Sequence, residues 1–262
     1  MSLLLLSGCG SSQDTAGQYS NLTDVATQKV VTKALEDSGV SAKQTWLLTS
    51  WINDFNGLVK NYTLAGEFQP MPEDGMDYSA LLLDDTAEPY AYQQWLNCRI
   101  AAFAMIQDVV STAGTGTDMD SWLMFDVEAI DTMPQLMLEP KAREDFLTVF
   151  NQIPVSGDLT NHSQQIQQAW QDRKITLSGE GISLVCVYLH YPEENVRFVG
   201  HAGVLLQTPE GLLFVEKYSP LAPFQATRFA DQRQLKEYLL ARPDFYGGEE
   251  LKPIVTINGS GI

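Results

Sequence analysis

Apolar residues recur along the chain with two different periods, a helical one in the first two thirds and a strand-like one in the last third. Near the N-terminus a first helix starts after Thr23 or Asp24 and stops at Gly39, and a second begins at the capping box of Ser41 and Gln44. The predicted helices cover residues 22–35, 42–62, 90–113, 141–152, 160–173 and 231–241.

The strand-like segments lie almost entirely in the C-terminal third. They cover residues 182–191, 201–207, 212–217 and 254–257. Because helices come first and strands second, instead of alternating, we expect an α+β fold with a mainly antiparallel sheet. The sequence has no internal repeat and no linker after residue 20, so we expect residues 21–262 to form a single domain.

Composition and charge narrow the class of protein. The 262 residues include 33 acidic and 16 basic ones, which gives a formal net charge of -17. A nucleic-acid-binding protein needs a basic face to replace counterions, so we expect no nucleic-acid partner. The hydrophobic share of 44% is that of a globular protein, and no apolar run reaches the roughly 18 residues that cross a bilayer.

The N-terminal segment resembles the end of a bacterial lipoprotein signal. Apolar residues 3–6 are followed by Ser7, Gly8 and Cys9, and then by a polar stretch. In such a signal the cysteine is lipidated, and its acyl chains hold the protein at the membrane. We therefore expect residues 1–20 to be a signal remnant and polar tether, with Cys9 as the membrane anchor of an extracytoplasmic bacterial lipoprotein. The alternative is an unstructured terminus whose cysteine is incidental.

A histidine beside a glutamate is the first candidate for chemistry. His162 lies in a polar stretch and is predicted to be on the surface, whereas His201 follows Gly200 at the start of a predicted strand. If Gln207 pairs with Leu212 across the turn, opposing residue numbers sum to 419, and Glu216 lies diagonally next to His201 on the same face. Glu216 would then orient the imidazole and stabilise its charged form. Lys217, Arg228 and Arg197 are alternative partners for this carboxylate.

Cys98 is the candidate nucleophile. Asn97 is a strong helix cap, so the helix can begin at Cys98 and place the sulfur at the positive end of the helix dipole. Backbone amides of that turn, with the side chain of Gln93 or Gln94, would stabilise an oxyanion. The alternatives are a cysteine that simply belongs to the core, or a disulfide with Cys186, which the spacing leaves open.

Three further residues complete the predicted site. Trp95, Gln94 and Tyr218 are expected to bind substrate next to the Cys98, His201 and Glu216 triad. No metal or organic cofactor is expected, because the chain has no HExxH motif, no phosphate-binding glycine loop and no paired CxxC. The acids at 118–131 do not match a calcium loop and are predicted to form a solvated surface.

Two family resemblances rest on these residues. The segments Asn97-Cys-Arg, 182–185, Gly200-His-Ala-Gly-Val-Leu, 213–217 and Pro223-Phe-Gln together resemble a bacterial lipoprotein family known only as a domain of unknown function. The order of cysteine, Gly-His and strand glutamate is similar to papain-like peptidoglycan hydrolases of the CHAP and NlpC type. That second resemblance implies a papain-like core with additional N-terminal helices, and it carries the catalytic roles onto Cys98, His201 and Glu216.

Together these patterns lead to a ranked set of functions. The first is a lipid-anchored cysteine amidase or peptidase that acts on a peptidoglycan peptide or another envelope amide. The second is a non-catalytic envelope lipoprotein that binds a peptide or glycan in the same cleft. The third is an acyltransferase that shares the thioester chemistry but transfers the acyl group to an acceptor other than water.

Overall fold

The computed structural model describes residues 17–117, 121–245 and 252–262. Cys9 and the predicted signal remnant up to residue 16 lie outside these ranges, so anchoring at Cys9 stays a prediction. Within them, no helix combines the length and the apolar content that a bilayer crossing requires.

Eight α-helices occur in the described part of the chain. They are α1 (Val25–Asp37), α2 (Ala42–Leu58), α3 (Tyr90–Gln93), α4 (Cys98–Ile106), α5 (Met124–Thr132), α6 (Pro140–Phe150), α7 (Leu159–Asp172) and α8 (Gln232–Leu240).

Eleven strands are described. They are β1 (Gln18–Ser20), β2 (Gln69–Pro70), β3 (Val110–Ser111), β4 (Ile153–Pro154), β5 (Thr176–Leu177), β6 (Ile182–Tyr191), β7 (Val196–Thr208), β8 (Gly211–Lys217), β9 (Phe224–Phe229), β10 (Ile254–Ile257) and β11 (Ser260–Gly261). Nine of them form one sheet in the order β11-β10-β6-β7-β8-β9-β1-β2, with β4 added alongside β7. The described strand pairs are antiparallel, which confirms the predicted α+β class with its mainly antiparallel sheet.

The central hairpin has the expected register. Gln207 pairs with Leu212 and Gly203 with Glu216, so opposing numbers sum to 419 along β7 and β8. The tight turn at 208–211 determines this pairing, and the alternation of the pleat then places every second residue on the same face.

Side-chain caps decide where the helices begin. The Asp24 carboxylate accepts the amides of Ala26 and Thr27, which confirms one of the two predicted starts of the first helix. The predicted helix at 90–113 is instead two helices, because the side chain of Asn97 accepts the amides of Arg99 and Ile100 and starts a new helix at Cys98. That start is the one that the nucleophile hypothesis needs.

The two faces of the sheet pack against different layers. Ala202 and Val204 of β7 join the larger apolar core together with most of the helices, including the buried residues of α4. Leu205 and Phe214 face the opposite side and pack against Leu235 of α8 in a smaller cluster. The sheet is therefore covered on both faces, and its inner strands are almost wholly buried.

Two expectations of surface position are wrong. Asp126, within the acidic stretch, is fully buried because its carboxylate pairs with the Arg99 guanidinium. His162 is also buried, and its Nδ1 accepts a hydrogen bond at 3.2 Å from Nε of Arg197, a residue distant in sequence. In both cases the partner offsets the cost of burying a polar group, which local polarity does not reveal.

Gly203 offers a test of the packing between β7 and β8. A methyl group at this position would lie 2.4 Å from Cζ of Phe214 and 2.9 Å from the carbonyl oxygen of Val215. We expect Gly203→Ala to lower the free energy of unfolding by about 1–3 kcal/mol through overpacking, measured by urea denaturation. Gly57→Ala is the control, because nothing lies within 4 Å of its added methyl group. Equal stability of the two variants would contradict this description of the hairpin.

Candidate active site

The candidate site lies where strand β8 ends and leaves part of β7 without a neighbour. The last pair of the β7–β8 ladder is Gly203 with Glu216, and β4 pairs with β7 only at Val196 and Arg197, so residues 198–202 lie between these two partners. The β7–β6 register also shifts opposite this stretch, between Val187 and Tyr188. Backbone groups of β7 near residue 200 therefore need partners from outside β8.

The first turn of α4 supplies those partners. Nη1 of Arg99 donates to the carbonyl of Val199 at 2.6 Å. The thiol sulfur of Cys98 lies 4.0 Å from the carbonyl oxygen of Gly200, and the backbone amide of Ala202 donates to the same sulfur. The sheet edge thus determines where Cys98 lies.

Cys98, His201 and Glu216 are brought together at this edge. Nε2 of His201 donates to Oε2 of Glu216 at 2.6 Å, and the Cys98 sulfur lies 4.0 Å from the carbonyl oxygen of Gly200, the residue before His201. Since Nε2 is committed to the carboxylate, Nδ1 is the ring nitrogen available to the sulfur. The three groups therefore follow one another in the order sulfur, imidazole and carboxylate.

Glu216 is the most constrained member of that chain. It has no exposed surface, and Oε2 also accepts from Nη1 of Arg242 at 2.9 Å. Oε1 accepts from the Tyr238 hydroxyl at 2.6 Å. The three alternative partners considered for this carboxylate, Lys217, Arg228 and Arg197, are wrong, because their side chains contact other groups.

The charges of the three groups stabilise each other. Burial by itself raises the pKa of the Cys98 thiol, but the charge of His201 and its hydrogen bond outweigh burial and bring that pKa below its ordinary value. Burial lowers the pKa of His201, but the bonds to Cys98 and Glu216 raise it above its ordinary value. Burial raises the pKa of Glu216, and the contacts with His201 and Arg242 lower it overall. The arrangement therefore favours a thiolate beside an imidazolium, the reactive form of a cysteine.

Cys98 is one of the residues that line a cavity of about 370 Å³. Its described lining consists of Gln94, Trp95, Asn97, Cys98, Arg99, Phe125, Gly200 and Pro220. Two of the three predicted substrate-binding residues, Gln94 and Trp95, thus lie beside the nucleophile. Cys98 keeps 8% of its surface exposed and is itself one of the residues that line this cavity.

Tyr218, the third predicted substrate-binding residue, lies elsewhere. It lines a separate cavity of about 830 Å³, whose wall also includes Tyr238 and Arg242. The Arg242 guanidinium lies 3.7 Å from the centre of the Tyr218 ring and donates to the Tyr218 carbonyl at 3.0 Å. Tyr218 therefore supports Arg242, and through it Glu216, from behind the triad.

Two groups are placed to bind an oxyanion. The Asn97 cap engages the amides of Arg99 and Ile100, and the first-turn amide of Cys98 itself receives no bond from that cap. The Gln94 side chain is exposed and lines the cavity, and its Nε2 donates one hydrogen bond, to the Ala91 carbonyl at 3.3 Å, which leaves the second N–H for a ligand. The buried Gln93 side chain does not fit this role, because its Nε2 donates to the Trp51 carbonyl and to the Tyr92 hydroxyl, both at 2.9 Å.

A second buried ion pair holds the first turn of α4. The Arg99 guanidinium binds the Asp126 carboxylate through Nη2 at 2.5 Å and Nε at 3.0 Å. Nδ2 of Asn97 donates to the same carboxylate at 2.9 Å. One buried acid from α5 thus positions both neighbours of Cys98 in the sequence.

Cys186 has a different environment from Cys98. Both thiols are free, so the disulfide that the spacing left open is not formed. Cys186 is fully buried in β6, and burial raises the pKa of its thiol well above the ordinary value. Its environment is that of a small hydrophobic core residue.

Sequence reasoning missed Arg242, Tyr238 and Asp126. Tyr238 lies on α8 and Arg242 just after it, 22 and 26 residues beyond the carboxylate that they bind. A buried glutamate on a strand needs a cationic partner, and this requirement is the one signal in the sequence for such a residue. It does not identify which cation is the partner. The described residues also contain no group of three or more histidines, cysteines and acids arranged to hold a metal ion.

These features define an α+β protein with a mainly antiparallel sheet and a buried Cys–His–Glu triad at the open edge of one strand. Residues 18–262 match the profile of a family described as a domain of unknown function (DUF4300), and the chain belongs to that family. This confirms the expected membership of an uncharacterised family. No curated protein and no solved structure matches the chain significantly.

Alkylation kinetics test the thiolate assignment. We expect iodoacetamide at neutral pH to modify Cys98 well before Cys186, because the pKa of Cys98 is lowered and that of Cys186 is raised. Glu216→Gln removes part of the support for the imidazolium, so the pH at which Cys98 labelling reaches half its maximum should rise. Peptide mapping by mass spectrometry separates these sites from Cys9. Equally slow labelling of Cys98 and Cys186 in the folded protein would contradict the assignment.

The buried ion pair between Arg99 and Asp126 predicts that two aspartates of α5 contribute very differently to stability. Asp126→Ala leaves the Arg99 guanidinium largely buried without its carboxylate and should lower the free energy of unfolding by about 3–5 kcal/mol. Asp131→Ala, on the same helix, removes a partly exposed pair with Arg143 and should cost less than about 1 kcal/mol. Chemical denaturation measures both values. Similar losses in the two variants would show that Asp126 does not hold this turn.

Proposed function

We propose that the chain is a cysteine hydrolase that cleaves an amide through a thioester on Cys98. The observation that carries the proposal is the grouping of three side chains: the Cys98 sulfur contacts the carbonyl of the residue before His201, His201 binds the buried Glu216 at 2.6 Å, and Cys98 lines a cavity. A core cysteine needs neither a charged partner nor access to a cavity, as Cys186 illustrates.

The proposed reaction has two halves. The Cys98 thiolate attacks the carbonyl carbon of the amide, and the carbonyl electrons move onto oxygen, where the Cys98 amide and Gln94 donate hydrogen bonds. When this tetrahedral intermediate collapses, the bond from carbon to nitrogen breaks, and the His201 imidazolium protonates the leaving amine. A thioester and a neutral imidazole remain.

Water completes the cycle. His201 takes a proton from a water molecule, whose oxygen attacks the thioester carbon, and the bond from carbon to sulfur breaks. The product leaves as a carboxylic acid, and the thiolate and imidazolium are restored. Glu216 stays ionised throughout, because His201 and Arg242 both donate to it. Its role is to hold the ring orientation and to stabilise the charged ring.

Several features support a papain-like arrangement of this site. The nucleophile is the first residue of a helix, the base lies on a strand, and the orienting acid lies on the adjacent strand. The order Cys98, His201, Glu216 in the chain agrees with the CHAP and NlpC resemblance. With lipidation at Cys9, the substrate would be a peptidoglycan peptide or another amide of the cell envelope.

Substitutions at the triad test the proposed activity. Using peptidoglycan peptides and fluorogenic amides as substrates, we expect Cys98→Ala to abolish turnover, because no group replaces the attacking sulfur. Glu216→Gln should lower kcat by roughly 10²–10⁴-fold, since the imidazolium loses its charged partner. Cys186→Ala and Glu210→Gln are the matched controls and should retain activity. Turnover that survives Cys98→Ala would remove the nucleophile assignment.

A further inference from the structure

We propose that this site selects acyl donors that carry a large uncharged, apolar group next to the scissile carbonyl. This inference rests on the proposed cysteine hydrolase function and names its substrate class. Two observations support the proposal. The described cavity residues offer no counterion for a charged substrate group, and the lining includes exposed apolar side chains.

The described lining of the Cys98 cavity offers no charge for an ionised substrate. Apart from the reacting Cys98 thiolate, Arg99 is the charged side chain among these residues, and its guanidinium already binds the Asp126 carboxylate and the Val199 carbonyl. Asn97 donates to the same carboxylate. A substrate carboxylate or ammonium group entering this space would lose its water without gaining a counterion, which is costly.

Apolar residues from separate parts of the chain line the cavity, and two of them have an exposed apolar neighbour in the sequence. Phe125 lines the cavity from the first turn of α5 with 60% of its surface exposed, next to Met124 at 54%. Pro220, from the turn after β8, also lines the cavity, and Leu221, the next residue in the chain, is 53% exposed. Half-buried Trp95 forms a further part of the wall. Single exposed apolar residues are ordinary, but a cluster at one opening is typical of a surface that binds an apolar group.

Buried contacts hold the turn that carries Pro220 and Leu221. Nζ of the fully buried Lys217 donates to the carbonyls of Ala222 at 2.5 Å and Pro220 at 3.3 Å. The same ammonium lies 3.6 Å from the centre of the Phe55 ring. The apolar wall on this side of the nucleophile is therefore preorganised, so a substrate does not have to order it.

The polar contact available to the substrate is neutral as well. Gln94 supplies an amide at the cavity wall, suited to the carbonyl oxygen of the scissile bond. The net charge of -17 adds a long-range repulsion for anionic substrates. An aromatic or long aliphatic group beside the carbonyl suits this uncharged, apolar lining. An acidic side chain suits it least, because it would be both desolvated and repelled.

Three matched probes test the substrate class. Acetylated phenylalanyl, lysyl and glutamyl chloromethyl ketones alkylate a thiolate and differ in the group beside the ketone. We expect the phenylalanyl probe to label Cys98 at least roughly tenfold faster than either charged probe, measured by intact mass and peptide mapping. The ratio of rates within one protein variant is the readout, because it is independent of how reactive the thiolate is.

Two substitutions complete the experiment. Phe125→Ser should lower the ratio of phenylalanyl to charged-probe rates several-fold, and Leu221→Ser should lower it in the same direction. Trp46→Ser is the control, because Trp46 is 70% exposed but lines a different cavity, and its ratio should equal that of the wild type.

The outcomes separate the two proposals. A wild-type ratio near one, or a ratio unchanged by both Phe125→Ser and Leu221→Ser, overturns the apolar substrate class and leaves the hydrolase proposal standing. If Cys98 reacts neither with any of the three probes nor with iodoacetamide, the hydrolase proposal itself fails.

Discussion

The arrangement of the site depends on one buried carboxylate. Glu216 has no exposed surface, and an unpaired carboxylate in that position would be unstable. It is held by His201 of β7, by Tyr238 of α8 and by Arg242, which follows α8. Because breaking such a set leaves a charge unpaired, the requirement to compensate Glu216 ties together β7, β8 and the end of α8 at this point.

The end of strand β8 is the second constraint. A strand edge without a neighbour must find other partners, and here the first turn of α4 provides them at Val199, Gly200 and Ala202 of β7. The same contacts place the Cys98 sulfur beside His201. The sulfur is therefore positioned by backbone hydrogen bonding as much as by its ring partner, which keeps it in place before any substrate binds.

Local signals were enough to predict part of this arrangement. The turn between β7 and β8 determines the register that aligns Glu216 with His201, and Asn97 starts α4 at Cys98. Strand β9 was missed, because its buried Gln225 and Thr227 satisfy each other at 2.9 Å and so hide the apolar alternation. Arg242 and Asp126 were missed for a related reason: their partners are chosen by tertiary packing, which spacing along the chain does not encode.

The distribution of positive charge explains how an acidic protein can hold a thiolate. With 33 acidic residues against 16 basic ones, the general field opposes a further negative charge. Close to the sulfur the balance is different, because both His201 and Arg99 lower the pKa of Cys98 by their charge. Arg242 neutralises Glu216, so that carboxylate does not cancel the effect of the imidazolium. Since these cations are buried and therefore weakly screened, a few of them at short range outweigh many distant surface acids.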